Sequence, residues 1–115
     1  MDIHAQISLA PKSVTTPIAL SLADELGAIL SLTTASVVLS GVLGTLLSPL
    51  AFRLCGLRDP RFQGVVLGIN AHGIGTARAF ELSPSSGAFS SLAMGLTGAL
   101  TAFVLPYAII WWQNI

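Results

Sequence analysis

Asn70, His72, Thr76 and Arg78 fall within one short stretch, separated by Ala71, Gly73, Ile74, Gly75 and Ala77. An amide, an imidazole, a hydroxyl and a guanidinium at that spacing can orient and neutralise a small anion. The chain on both sides is apolar, and polar groups in lipid are costly enough that they usually face a protein interior or a wet cavity. Gly73 and Gly75 beside the histidine predict that the backbone leaves regular helix there. The stretch reads as a broken membrane helix that forms half of a binding site.

A second polar break holds Lys12, Ser13, Thr15 and Thr16 between Pro11 and Pro17. Thr16 has the chemistry of an N-cap and Pro17 that of a first helical residue. A helix N-terminus offers free N–H groups and partial positive charge to anions. Lys12, that N-terminus and Arg78 together predict a positive pocket whose natural ligand is a small carboxylate. Lys12→Met or Arg78→Met is then expected to abolish carboxylate uptake. The alternatives are structural: His72 bonding a neighbouring helix, Lys12 reaching to headgroups, the threonines only capping, and Arg78 pairing with Glu81 in a wet loop.

Other chemistries fit less well. Gly73-Ile74-Gly75-Thr76-Ala77-Arg78 lacks the third glycine, the preceding strand and the downstream acid of a dinucleotide loop. No nucleophile elbow accompanies His72, and no acid is placed to orient its ring. His4, His72 and Cys55 are too scattered for a metal site. Neither an enzyme nor a cofactor is expected. The formal charge is zero, with five basic and five acidic residues, which gives no nucleic-acid footprint.

The elements that position these residues follow from composition. Of the 115 residues, 53% are hydrophobic and 9% charged, with a mean hydropathy of +0.82. A soluble domain carries about 25% charged residues, so the solvent predicted here is a bilayer. The start, Met1 to Gln6, lacks the basic region and long apolar run of a cleavable leader. The first element, over 8–26, is interrupted between the prolines and ends at Gly27, with Asp24 and Glu25 in the wet interface. Residues 26–52 carry no charge and form the clearest membrane helix. Ser40, Gly44 and Ser48 give it a small-residue face, and Pro49 bends its last turn.

The loop 53–61 holds Arg53, Arg58, Arg61 and Asp59, which by the positive-inside tendency places it in the cytoplasm. Residues 62–77 are uncharged but shorter than the roughly 20 needed to cross; Gly64 and Gly68 form a packing pair. If this run crosses, the C-terminus is cytoplasmic; if it dips in and returns, the C-terminus is on the other side. Ser83 and Pro84 read as another N-cap and first-turn pair. A helix over 84–112 follows, with Gly87, Ser91, Gly95, Gly98 and Ala102 as its small face and Pro106 as its bend. Tyr107, Trp111 and Trp112 form an interfacial belt. The expected fold is an all-α integral membrane protein with three to four membrane segments, including broken or re-entrant helices, in one domain over 1–115.

Twice, then, a polar helix-breaking segment precedes a long clean helix. Paired broken helices point to a midplane substrate site in secondary transporters. Three stretches also resemble one family. Pro11-Lys12-Ser13-Val14-Thr15-Thr16-Pro17-Ile18-Ala19, Ala71-His72-Gly73-Ile74-Gly75-Thr76-Ala77-Arg78-Ala79 and Gly87-Ala88-Phe89-Ser90-Ser91-Leu92-Ala93-Met94-Gly95-Leu96 are similar to the LrgB/CidB family of bacterial membrane proteins. The resemblance runs from Leu9 to about Pro106 and corresponds to the C-terminal half of a family member, without the N-terminal membrane segments. It implies a multi-pass protein of the plasma (inner) membrane with an LrgA/CidA-type partner, and homo-oligomers besides. It also implies one of two activities. One is small-carboxylate transport of the pyruvate or glycolate type, as a subunit or fragment of a transporter. The other is holin/antiholin-like regulation of murein hydrolase export and cell lysis. The substrate-binding set expected from residues and resemblance together is Lys12, Ser13, Thr15, Thr16, Asn70, His72, Gly73, Gly75, Thr76 and Arg78.

Overall fold

The computed structural model describes residues 2–115; Met1, where the leader reading starts, lies outside them. The elements are α1 (Ile3–Leu9), a 3-10 turn (Ala10–Ser13), α2 (Thr16–Glu25), α3 (Leu30–Cys55), α4 (Pro60–Leu82) and α5 (Pro84–Gln113). Regular structure among the described residues is all helical. The body measures 44 × 23 × 23 Å, and its long axis matches the about 40–45 Å of a bilayer with its headgroups.

α3 (26 residues) and α5 (30 residues) are long and apolar enough to cross a membrane, yet only 22% and 11% of their most apolar windows are buried. A core helix of a soluble protein would hide that surface. Here Leu46, Leu96 and Phe103 stand outward at 69%, 62% and 75% exposure, and only lipid or a protein partner makes such a coat stable. The chain is an all-α membrane protein.

The remaining helices form two hairpins that enter from opposite ends. In the first, residues 3–13 run beside α3 in the same direction. The Ile29 N–H donates to Ser8 Oγ at 2.7 Å, Thr33 Oγ1 donates to the Ser8 carbonyl at 2.9 Å, and Ser40 Oγ lies 3.1 Å from the Lys12 carbonyl. α2 then brings the chain back, so that His4 Nδ1 sits 3.0 Å from the Gly27 carbonyl. The prolines explain the turn: Pro11 leaves helical geometry, and Val14 and Thr15 are extended. The cap of α2 is Thr15 rather than the expected Thr16, one residue earlier, with Pro17 in the first turn. α1 was not expected from the sequence as a helix of its own.

The second hairpin is α4 itself. His72 has φ 49° and ψ −131°, and the helix reverses there. A Cβ on Gly75 would strike the Leu67 carbonyl and the Ala71 Cβ, and Leu67 clusters with Ala79 and with Phe52 of α3. Residues 73–82 therefore return along 60–71. The first limb also presses on α5: a Cβ on Gly64 or Gly68 would collide with the Ser86 or Ser90 backbone. Those two glycines let the helices touch backbone to backbone. The small face that α5 buries is Ser86, Gly87, Ser90, Ala93 and Gly98, which includes the expected Gly87 and Gly98 but not Ser91 or Gly95; nothing lies within 4 Å of a Cβ on Gly95. Ser83 caps α5 as expected, its side chain accepting from the Ser86 N–H at 3.0 Å.

Because residues 60–82 dip in and return, the end of α5 lies opposite the arginine loop. Ile109, Trp112 and Gln113 share a cleft with Ile3, Gln6 and Ile7 of α1.

Candidate functional site

The two hairpin tips meet about midway along α3. A cavity of about 220 Å³ opens there, lined by Thr15, Thr16, Pro17, Val37, Val38, Ala71, His72, Gly73 and Ile74. Each tip contributes a helix start. The first intrahelical bond of α2 runs from the Ala19 N–H to the Thr15 carbonyl at 2.9 Å. The N–H groups of Thr16 and Ile18 precede it, Pro17 has none, and no side chain caps this end. The returning limb of α4 starts at Gly73, where a Cβ would meet nothing within 4 Å. Two positive helix ends thus face one space.

His72 is the centre of the arrangement. The residue is 4% exposed, and its φ lies in a region that only glycine adopts without strain of about 1–3 kcal/mol. Nε2 sits 3.4 Å from Ser40 Oγ, the hydroxyl that also reaches the Lys12 carbonyl. The Lys12 and Ser13 backbone lies beside the ring, yet Nδ1 is buried with no hydrogen-bond partner. With the Ser40 proton given to the Lys12 carbonyl, Nε2–H donates to Ser40 Oγ, and Nδ1 is left as an unused acceptor. One residue carries both a strained backbone and an orphaned nitrogen, each a cost that function can explain. Ser40, expected only as a small packing residue, is the clasp between the tips; its hydroxyl gave no sequence signal beyond four-residue spacing.

The other expected residues scatter. Lys12 and Ser13 approach through their backbone, and the Lys12 side chain is exposed. Asn70 is exposed and donates to the Val66 carbonyl at 3.0 Å. Gly75 serves the packing of the two limbs. Thr76 Oγ1 pairs with Ser90 Oγ at 2.8 Å and holds α4 to α5. Arg78 pairs with Glu81 at 2.7 Å and lines a different cavity with Arg53 and Arg58. The fold-back at His72 separates it from the tips, so the structure does not bring Lys12 and Arg78 side chains together at one pocket.

The family model described as LrgB-like family matches residues 1–111. The chain belongs to the LrgB-like family. Among relatives of this family, the uncharacterized protein YwbG of Bacillus subtilis is 40% identical over 102 residues, 89% of this chain and 45% of that protein. The uncharacterized protein YxaC of the same organism is 35% identical over 115 residues, 100% of this chain and 50% of its own length. The holin-like protein CidB of Staphylococcus epidermidis is 32% identical over 104 residues, 90% of this chain and 45% of that protein. The chain spans about half the length of the curated relatives it matches. The narrower expectation that the matched part is their C-terminal half is not borne out. No solved structure matches the chain.

Proposed function

We propose that the cavity between the hairpin tips binds a small carboxylate, and that the chain is a subunit or fragment of a carboxylate transporter of the pyruvate or glycolate type. The observation that carries this reading is His72, strained and buried with Nδ1 unpartnered, where the uncapped start of α2 meets the start of the returning limb of α4. Converging half-helix N-termini are how discontinuous membrane helices hold anionic substrate groups. The volume, about 220 Å³, falls below the roughly 300–1,000 Å³ of drug-sized ligand sites and suits an acid of a few carbon atoms. Thr15, Thr16, His72 and Gly73 are the contacts in this reading, with Ser40, Lys12 and Ser13 orienting the ring. Hairpins from opposite ends give the inverted arrangement on which alternating access rests. The reading places the protein in the plasma membrane as a multi-pass chain with the arginine loop in the cytoplasm, working with an LrgA/CidA-type partner.

The holin-like name of the CidB relatives favours a second reading, regulation of murein hydrolase export and lysis by an oligomeric assembly. Uptake of labelled pyruvate and glycolate into vesicles, with the chain alone and with its partner, separates the two. Uptake that His72→Ala abolishes supports the transporter. Absent uptake, together with a lysis phenotype that His72→Ala leaves unchanged, supports the regulator.

A further inference from the structure

A second cavity lies at the other end of the molecule. It measures about 540 Å³ and is lined by Arg53, Arg58, Arg78 and Gln63, with Pro49, Phe52, Leu57 and Leu82 as its apolar wall. Three of the five basic residues in the chain face this space, and among the described residues no carboxylate lines it. The loop builds the cluster. Gly56 ends α3 with φ 67°, and the Leu57 N–H returns to the Phe52 carbonyl at 2.9 Å, which turns Arg58 back towards Arg53. Asp59, the one acid of the loop, is already engaged. It caps α4 through the Arg61 N–H at 3.0 Å and holds the Arg61 guanidinium at 3.2 and 2.9 Å. Arg61 therefore absorbs the loop's negative charge, and among the described residues Arg53 and Arg58 have no ion pair. Arg78 gives one nitrogen to Glu81 and keeps its other donors free, since a guanidinium has five N–H groups.

We propose that this cavity is a binding site for the phosphate of an anionic lipid headgroup. Three guanidiniums, those of Arg53 and Arg58 without an ion pair and that of Arg78 held on one nitrogen, suit phosphate oxygens, which accept paired N–H donors. The apolar wall and the exposed Leu54 and Phe62 at the same end offer the glycerol and acyl region a surface that a free phosphate does not need. Basic pockets between membrane helices at headgroup level bind anionic lipids for this reason. The site is independent of the His72 cavity, at the opposite end of the limb 73–82.

The test is native mass spectrometry of the whole chain released from vesicles of phosphatidylcholine mixed with phosphatidylglycerol. Wild type is expected to retain phosphatidylglycerol over phosphatidylcholine. Arg53→Gln and Arg58→Gln should each weaken that preference by about fivefold, the effect of roughly one surface charge on an anionic lipid. Lys12→Gln, which removes equal charge outside the cavity and leaves the Asp59–Arg61 pair intact, should leave it unchanged, and Arg58→Lys should lose less than Arg58→Gln. Thermal unfolding of each variant in detergent reports folding separately, and these exposed positions are expected to keep it. Equal retention of the two lipids, or a loss with Lys12→Gln as large as with Arg58→Gln, overturns the site. Displacement of phosphatidylglycerol by inorganic phosphate alone shows a free-phosphate site and overturns the lipid assignment.

Discussion

The halves 3–55 and 60–113 each consist of a hairpin followed by a long apolar helix, but they make their turns by different physics. In the first half the reversal is spread over 11–15, where Pro11 leaves helical geometry and the chain passes through extended residues without strain. In the second half a single residue, His72, reverses the helix in a conformation that its side chain resists. The packing differs in the same sense. Ser8 and Thr33 join the first hairpin to α3 by side-chain hydrogen bonds, whereas Gly64 and Gly68 bring the second onto α5 with no side chain between. A strained tip is tolerated where the limbs beneath it are clamped; an unstrained tip needs only a few hydrogen bonds. The ligand contacts proposed here come from one tip of each kind.

The largest way to break this contrast is to remove the clamp. Gly68→Leu should push α4 off the Ser90 backbone and lower stability by more than the about 1–3 kcal/mol of ordinary overpacking, because backbone cannot repack. The same change at Gly95, which meets nothing within 4 Å, should be close to neutral. Thermal unfolding in detergent compares the two.

A second test sharpens the role of strain. His72→Ala keeps a side chain at φ 49°, while His72→Gly removes the ring and the strain together. The glycine variant should be more stable than the alanine variant by about 1 kcal/mol or more, and both should lose pyruvate and glycolate uptake. Equal stability would mean that the turn relaxes without glycine.

The helix starts offer a smaller effect. Ser83→Ala removes a cap that is made and should cost about 1 kcal/mol. Thr15→Ala removes no capping bond, so stability should stay within a few tenths of wild type, while carboxylate affinity falls. A stability loss at Thr15 equal to that at Ser83 would recast Thr15 as a structural cap.

The smallest effect is one of pH. The Arg61 side chain, hydrogen-bonded to Asp59, holds the Asp59 carboxyl below its ordinary value of 3.8. A lowered carboxyl stabilises the fold at pH above that ordinary value, and this contribution disappears as pH falls through the folded one. Asp59→Asn keeps a good cap and should flatten the acid limb of the unfolding curve below about pH 4. The exposed position of the pair makes the change slight.

How much of this was legible in the sequence depends on the residue. Pro11 and Pro17, the uncharged run of α3, the Ser83–Pro84 start and the Gly64–Gly68 pair each act through local sterics or capping, and local rules found them. The direction of 60–82 was not legible. Gly73 is the residue a left-handed turn would ordinarily use, yet His72 takes it, and no periodicity reports that a helix doubles back. That one reversal also explains Arg78, which spacing along the chain put beside His72 and the fold puts beside Arg53. Ser40 was visible only as a small residue, because its partners are the Lys12 carbonyl and the His72 ring, distant in sequence.

The depth of the hairpin tips has an electrical consequence. If α3 and α5 span the bilayer, a singly charged ligand held near the middle of α3 has traversed about half of the membrane voltage. With roughly 2.3 kcal/mol per charge for each 100 mV across the whole membrane, each leg of its passage feels about half of that. Loading from one face and release to the other would then be biased nearly equally by the resting potential, and occupancy of the tips would change with voltage even if the protein never moved.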